Sequence, residues 1–73
     1  NIYKNLSMLT KALENYQASL EIKIGLDDKK GASITLNNIG LIYNELGEYD
    51  KALENFTESI NIKQEILLKE NRN

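Results

Sequence analysis

The sequence contains no cysteine, no histidine, no proline and no tryptophan. Without cysteine there are no disulfide bonds and no thiolate nucleophiles, and without histidine the usual general base near pH 7 is missing. Thiolate and imidazole metal ligands are missing for the same reason. Because most hydrolytic mechanisms then lack their central residue, the sequence predicts a protein that is not an enzyme and that needs no cofactor or metal.

The chain also has no surplus of positive charge and no long apolar run. Its 9 basic and 11 acidic residues give a net charge of -2, and scattered basic residues cannot neutralise a phosphate backbone. No apolar segment approaches the roughly 20 residues that span a bilayer. The N-terminus lacks the basic and then apolar layout of a signal peptide. These features predict a cytoplasmic protein that binds neither nucleic acid nor membrane.

The length of 73 residues, with 41% hydrophobic and 27% charged residues, suits one small globular domain. At this size, folding buries only about 60% of the surface that the unfolded chain exposes. Small domains therefore depend on a disulfide, a structural metal or a partner surface, and this sequence has no cysteine or histidine to provide the first two.

An internal repeat is the strongest feature of the sequence. Residues 11–16, KALENY, return as residues 51–56, KALENF, with a period of 40 residues. Two further sets of residues recur with the same period. Ser19, Ile22 and Lys23 return as Ser59, Ile62 and Lys63. Ile2, Tyr3 and Leu6 return as Ile42, Tyr43 and Leu46. The repeat is therefore the architectural unit.

Within each unit the apolar spacing is helical. Leu36, Ile39, Gly40 and Tyr43 fall at i, i+3, i+4 and i+7 and share one face. Asp28 is a candidate N-cap, and Gly47 is suited to the left-handed position that ends a helix. The pattern predicts an all-α fold with helices near residues 1–6, 9–25, 29–46 and 49–69, joined by short links that make neighbours antiparallel.

The residues of the second unit resemble the tetratricopeptide repeat (TPR). The resemblance rests on Leu36-x-x-Ile39-Gly40-x-x-Tyr43, then Gly47, Tyr49 and Ala52-x-x-x-Phe56. It implies antiparallel helix-turn-helix repeats in a fragment of an α-solenoid. The 40-residue unit is similar to the long repeats of kinesin light chains and spindle-orientation adaptors. As one domain spanning 1–73, the chain would hold a partial repeat at 1–25, a complete repeat at 29–69 and a frayed tail at 70–73.

The same resemblance implies a protein-protein interaction module. In this family the first helix of each pair lines a groove that holds a peptide of a partner protein, and Asn38 matches an asparagine that binds the ligand's backbone or terminal carboxylate. The predicted peptide-binding residues are Ile34, Asn37, Asn38, Leu41, Asn44 and Glu45, with Asn1, Lys4 and Asn5 beside them. In the members of the family that bind chaperones, lysines and arginines hold the acidic C-terminus of the chaperone. This sequence retains little of that set beyond Lys4, which argues against a chaperone as the partner.

Several alternatives stay open. Exposed repeat ends could build a homo-oligomer, with exchange of helices across a hinge at Ser7 or Gly47. A third alternative is the peptide-sensing part of a bacterial regulator. The asparagines could be simple surface residues, whereas the spacing of the four tyrosines favours packing in the core. Capping explains the pair Asp27 and Asp28 better than a cation site does, since the sequence has no Asp-x-Asp-x-Asp-Gly loop.

Overall fold

The structure, a computed structural model, describes residues 2–71 of the chain, with side chains from residue 5 onward. Three helices account for nearly all of these residues: α1 (Ile2–Gly25), α2 (Lys29–Glu45) and α3 (Tyr49–Asn71). Helix α2 packs against both α1 and α3. Residues 2–71 contain no strand, so the predicted all-α fold of antiparallel helical hairpins is confirmed.

The two connections follow from the residues that the sequence places there. Asp28 caps α2, because its carboxylate accepts a hydrogen bond from the backbone N–H of Gly31 at 2.9 Å. At the other end Gly47 has φ +78, and the N–H of Glu48 donates to the carbonyl of Tyr43 at 2.9 Å. This is the Schellman arrangement, in which glycine adopts the left-handed conformation without a steric penalty.

The core lies between α2 and α3. The aromatic ring of Phe56 packs directly on the backbone of Gly40, and a Cβ atom added at Gly40 would lie 2.7 Å from Cε1 of that ring. Nearer the other end of the hairpin, the hydroxyl of Ser59 donates to the backbone carbonyl of Ser33 at 2.7 Å. Small residues at these positions therefore let the two helices approach closely. The other buried hydrophobic residues are Ala32, Leu36, Ile39, Ile42 and Ala52.

The predicted break between residues 6 and 9 is wrong, because α1 runs without interruption from Ile2 to Gly25. Ser7 stands where the second unit has Gly47. The turn requires a left-handed backbone conformation, which is energetically unfavourable for serine because of its Cβ atom. The hydroxyl of Thr10 donates to the carbonyl of Leu6 at 2.9 Å, within the same continuous helix. The local sequence therefore favours helix where the repeat pattern predicts a turn.

The ends of the other helices differ little from the prediction. Helix α2 ends at Glu45 with Leu46 as its C-cap. Helix α3 continues to Asn71, so residues 70 and 71 of the predicted tail are helical. Residues 72 and 73 lie outside the described part of the chain. The division into a partial and a complete repeat stays a prediction.

Candidate functional site

The six predicted binding residues all lie on α2 and share one face of it. A helix turns by 100° per residue, which places Ile34, Asn37, Asn38, Leu41, Asn44 and Glu45 within an arc of about 120°. The buried residues of α2, such as Leu36 and Ile39, lie on the opposite side. We call this set of six residues the α2 outer face. The neighbouring helices cover this side of α2 only in part.

The α2 outer face combines two exposed aliphatic side chains with three amides. Ile34 and Leu41 are 52% and 50% exposed. Asn44 is exposed, whereas Asn37 and Asn38 are half-buried. Across residues 5–71, none of these three amides forms a hydrogen bond with another group of the protein.

Asn55 provides a contrast within the same chain. Its side-chain N–H donates to the carbonyl of Lys51 at 2.8 Å, which is one turn earlier in α3. This local bond satisfies part of the hydrogen-bonding capacity of the Asn55 amide. The amides of the α2 outer face keep a donor and an acceptor free for an external group.

A groove between α2 and α3 adjoins one end of the α2 outer face, and the sequence reasoning did not find it. Ile34 lies in this groove beside Ile66 and Leu67 of α3. The remaining lining residues are Lys30, Ser33, Lys63 and Glu70. The helical spacing from Lys30 to Ile34 could have placed Lys30 on the same face. The residues of α3 required the packing of the two helices, which no local pattern reveals.

Residues of opposite charge stand at the two ends of α2 along this side: Lys30, one turn before the α2 outer face, and Glu45, its last member. Lys30 is exposed at the N-terminal end of α2, and Glu45 is exposed at its C-terminal end. Fifteen residues of helix separate them, which corresponds to about 22 Å. The residues between them on this face are amides and aliphatics. The face is therefore neutral in the middle and polarised at its ends.

The resemblance also placed Asn1, Lys4 and Asn5 beside the peptide-binding residues, and the structure describes the side chain of Asn5 alone. Asn5 is exposed on α1. Asn1 lies outside the described residues, and the side chain of Lys4 is outside them as well.

Of the four tyrosines predicted to pack in the core, Tyr3 has its side chain outside the described residues, and the other three differ in exposure. Tyr43 is half-buried, as predicted: its hydroxyl lies 3.4 Å from Nε2 of Gln17, and Nζ of Lys51 lies 5.6 Å from its ring centroid. Core packing is wrong for Tyr49, which is 67% exposed, and Tyr16 is also exposed, at 37%. Tyr49 is the first residue of α3, so its side chain lies at a helix end rather than between two helices.

The acidic residues form no cation site in the described part of the chain. Asp28 is used as a cap, and Asp27 has φ 57 in the connection between α1 and α2. Among the described residues, no cluster of carboxylate side chains could hold a metal ion. The same residues also contain no helix that is long and apolar enough to cross a bilayer.

A comparison with protein families agrees with this geometry. The family described as tetratricopeptide repeat matches residues 1–65. The chain belongs to the TPR family. Separate comparisons with curated proteins and with solved structures found no match. TPR proteins generally mediate protein-protein interactions, and TPR repeats are typically not enzymes. Family membership also explains why Gly40 and Ala52 are small, since a TPR hairpin needs close approach of its two helices.

Proposed function

We propose that this TPR chain is an interaction module whose α2 outer face binds a peptide segment of another protein. The observation that carries the proposal is the set of three amides without partners in the described chain, flanked by the exposed side chains of Ile34 and Leu41. An amide offers both a donor and an acceptor, so it can bind the backbone of a peptide without requiring a particular side chain. Asn38, half-buried and midway along the length of the face, is the main candidate for this contact.

The spacing of the two aliphatic residues indicates the form of the peptide. Ile34 and Leu41 are seven residues apart on α2, which corresponds to about 10.5 Å along the helix axis. In an extended chain of the polyproline II type, with three residues per turn and a rise of about 3.1 Å per residue, apolar side chains three residues apart lie on the same face and span about 9 Å, close to that spacing. The ligand is therefore an extended peptide with an apolar residue at both of these positions. The groove beside Ile66 and Leu67 offers the first of them a deeper contact.

The charges at the two ends give the peptide a direction. Lys30 favours an acidic residue or a terminal carboxylate at one end, and Glu45 favours a basic residue at the other. Both side chains are exposed, so each contributes less to affinity than to orientation and register.

Peptides selected from a random display library against the intact chain would test the proposal. Binding of a selected peptide is then measured by fluorescence anisotropy for the parent chain and for Asn38→Ala. Loss of one amide contact of about 0.5 to 1.5 kcal/mol should weaken binding by about 2- to 12-fold. Asn61→Ala is the matched control, because Asn61 is an exposed asparagine on α3, outside the α2 outer face.

Equal weakening by Asn38→Ala and Asn61→Ala would contradict the α2 outer face as the binding site. A lower melting temperature for Asn38→Ala with unchanged affinity would assign Asn38 to the fold instead. Asn44→Ala provides a second, more exposed probe of the same face. We expect it to weaken binding less than Asn38→Ala, because water competes better at an exposed amide.

Self-assembly into a homo-oligomer is the alternative function, and one observation favours it. Helix α3 exposes Leu53, Ile60, Leu67 and Leu68, which are between 54% and 65% exposed. Replacing Leu53 and Ile60 with glutamate separates the two functions, because it should abolish an oligomer built on α3 and leave peptide binding at the α2 outer face unchanged. A peptide-sensing regulator would use the same α2 outer face. The kinesin-light-chain-like subclass and the cytoplasmic location stay predictions.

A further inference from the structure

The two units of the repeat have different structures at equivalent positions. In the second unit, α2 and α3 form a hairpin that turns at Gly47 and Glu48. Forty residues earlier, Ser7 and Met8 continue a single straight helix. The part of α1 before Ser7 therefore cannot fold back onto the part that follows it. The contacts that the hairpin makes within the second unit are out of reach within the first.

The register of those contacts is well defined in the hairpin. Contacts between α2 and α3 join residues that lie at nearly equal distances in sequence from residue 47. Nearest the turn, Nζ of Lys51 lies 5.6 Å from the ring centroid of Tyr43. Further along, the ring of Phe56 packs on Gly40, and the hydroxyl of Ser59 donates to the carbonyl of Ser33. At the far end, Nζ of Lys29 lies 3.7 Å from Oε1 of Glu65. The corresponding centre in the first unit is Ser7.

Leu6 and Ala12, on either side of Ser7, are more exposed than their equivalents in the hairpin. Leu9 and Leu13 are half-buried and less exposed than theirs. Leu6 is 47% exposed, whereas Leu46 is half-buried. Ala12 is half-buried, whereas Ala52 is 3% exposed. Met8, close to the centre, is 61% exposed. Leu6 and Ala12 of the first unit thus lack the contacts that cover Leu46 and Ala52 in the second unit.

We propose that the chain pairs with a second copy of itself through α1, with the two α1 helices antiparallel and centred on Ser7. In this arrangement the segment before Ser7 of one copy covers the segment after Ser7 of the other. The contact is isologous, as a two-fold dimer requires, and it repeats between chains the register that the second unit uses within one chain. It uses α1 rather than the α2 outer face, so it is independent of the proposed peptide site.

The described part of the contact is short. Between residue 2 and about residue 12 the two helices overlap over about 16 Å, or three turns. A contact of this length taken alone corresponds to a weak or transient association. We therefore expect a reversible equilibrium that depends on concentration and is visible in sedimentation at high concentration.

Distances between spin labels test the register, because the parent sequence has no cysteine and one label can be placed at a time. A label at Met8→Cys lies next to the two-fold axis, so the two labels of a dimer should be about 10 to 20 Å apart. A label at Ile24→Cys, an exposed residue at the far end of α1, should give about 50 Å. A Met8 pair beyond about 30 Å overturns the proposal, as does a parent chain that stays monomeric up to about 1 mM.

Variants at Ser7 test whether the continuous helix at this residue is what makes the two copies pair. Replacing Ser7 with Gly and Met8 with Glu reproduces the turn sequence of the second unit, and should weaken the dimer at least about tenfold by allowing a hairpin within one chain. Asn15→Gly introduces a helix-weakening glycine elsewhere on exposed α1 and should leave the dimer intact. Ser7→Ala favours the continuous helix and should keep or slightly strengthen the dimer. A weaker dimer in Ser7→Ala, or equal loss in both glycine variants, would overturn the proposal.

Discussion

Replacing Gly40 with alanine sets two effects of similar size against each other. Alanine is favoured over glycine in a helix interior by about 1 kcal/mol, so the local effect stabilises α2. The added Cβ would lie 2.7 and 2.8 Å from Cε1 and Cδ1 of Phe56. Ordinary contacts between carbon atoms are about 3.5 to 4.0 Å, so the ring or the whole helix must shift by nearly 1 Å.

The packing effect should be the larger of the two. Overpacking of this kind costs about 1 to 3 kcal/mol, and the half-buried position of Phe56 allows some relaxation of the ring toward solvent. Taking a packing cost of about 2 kcal/mol against a helix gain of about 1 kcal/mol, we expect Gly40→Ala to lower the free energy of unfolding by about 1 kcal/mol.

Two further variants separate the effects. Gly25→Ala is the control without a packing clash, because a Cβ atom there meets nothing within 4 Å. Since Gly25 is the last residue of α1, we expect a helix gain below the interior value of about 1 kcal/mol. Phe56→Val removes the ring atoms that the new Cβ would meet. In that background Gly40→Ala should stabilise the chain by up to about 1 kcal/mol, which gives a coupling energy of about 2 kcal/mol between the two positions.

Urea unfolding followed by circular dichroism at 222 nm measures all of these free energies. Because Phe56→Val also lowers stability, trimethylamine N-oxide added equally to every sample would keep all variants folded at the start. If Gly40→Ala stabilises the parent chain as much as Gly25→Ala does, the close approach of α2 and α3 at Phe56 is refuted. The same conclusion follows if the double variant shows no coupling.

Two other substitutions test the turn and the hairpin. Asp28→Ala should lower the free energy of unfolding by about 0.5 to 2 kcal/mol, because the N–H of Gly31 loses its cap; an unchanged urea midpoint would argue against that cap. Ser59→Ala should cost about 0.5 to 1.5 kcal/mol, because it removes a buried hydrogen bond to the carbonyl of Ser33. Thr57→Ala, at an exposed position on the same helix, is its control and should not destabilise the chain. A greater loss for Thr57→Ala than for Ser59→Ala would contradict the assignment.

The sequence was sufficient for the parts of the fold that depend on local rules. Asp28 predicts the start of α2 and Gly47 predicts its end, because a side-chain cap and a left-handed glycine act within a few residues. The helical spacing from Leu36 to Tyr43 predicts the buried side of α2, and its complement gives the α2 outer face. The resemblance carried by Gly40, Ala52 and Phe56 was enough to identify the family.

The repeat pattern failed where it was extended from the second unit to the first. It predicts a turn near Ser7 by analogy with Gly47, but the residues themselves lack the glycine that lowers the cost of the left-handed conformation. The continuous α1 therefore follows from the local residues. The prediction of a break gave the analogy with Gly47 more weight than those residues. The exposure of Tyr49 has a different origin, since a helical position cannot by itself show whether a neighbouring helix passes that side chain.

The sequence alone thus determined α2 and α3, the turn between them, the side of α2 that is buried and the family to which the chain belongs. Only the tertiary structure decided that Ile34 shares a groove with Ile66 and Leu67, and that α1 leaves Leu6 and Met8 exposed. The first set depends on interactions over a few residues, which periodicity and capping residues record. The second depends on how far neighbouring helices overlap along their lengths, and that overlap is set by packing between residues about 30 positions apart.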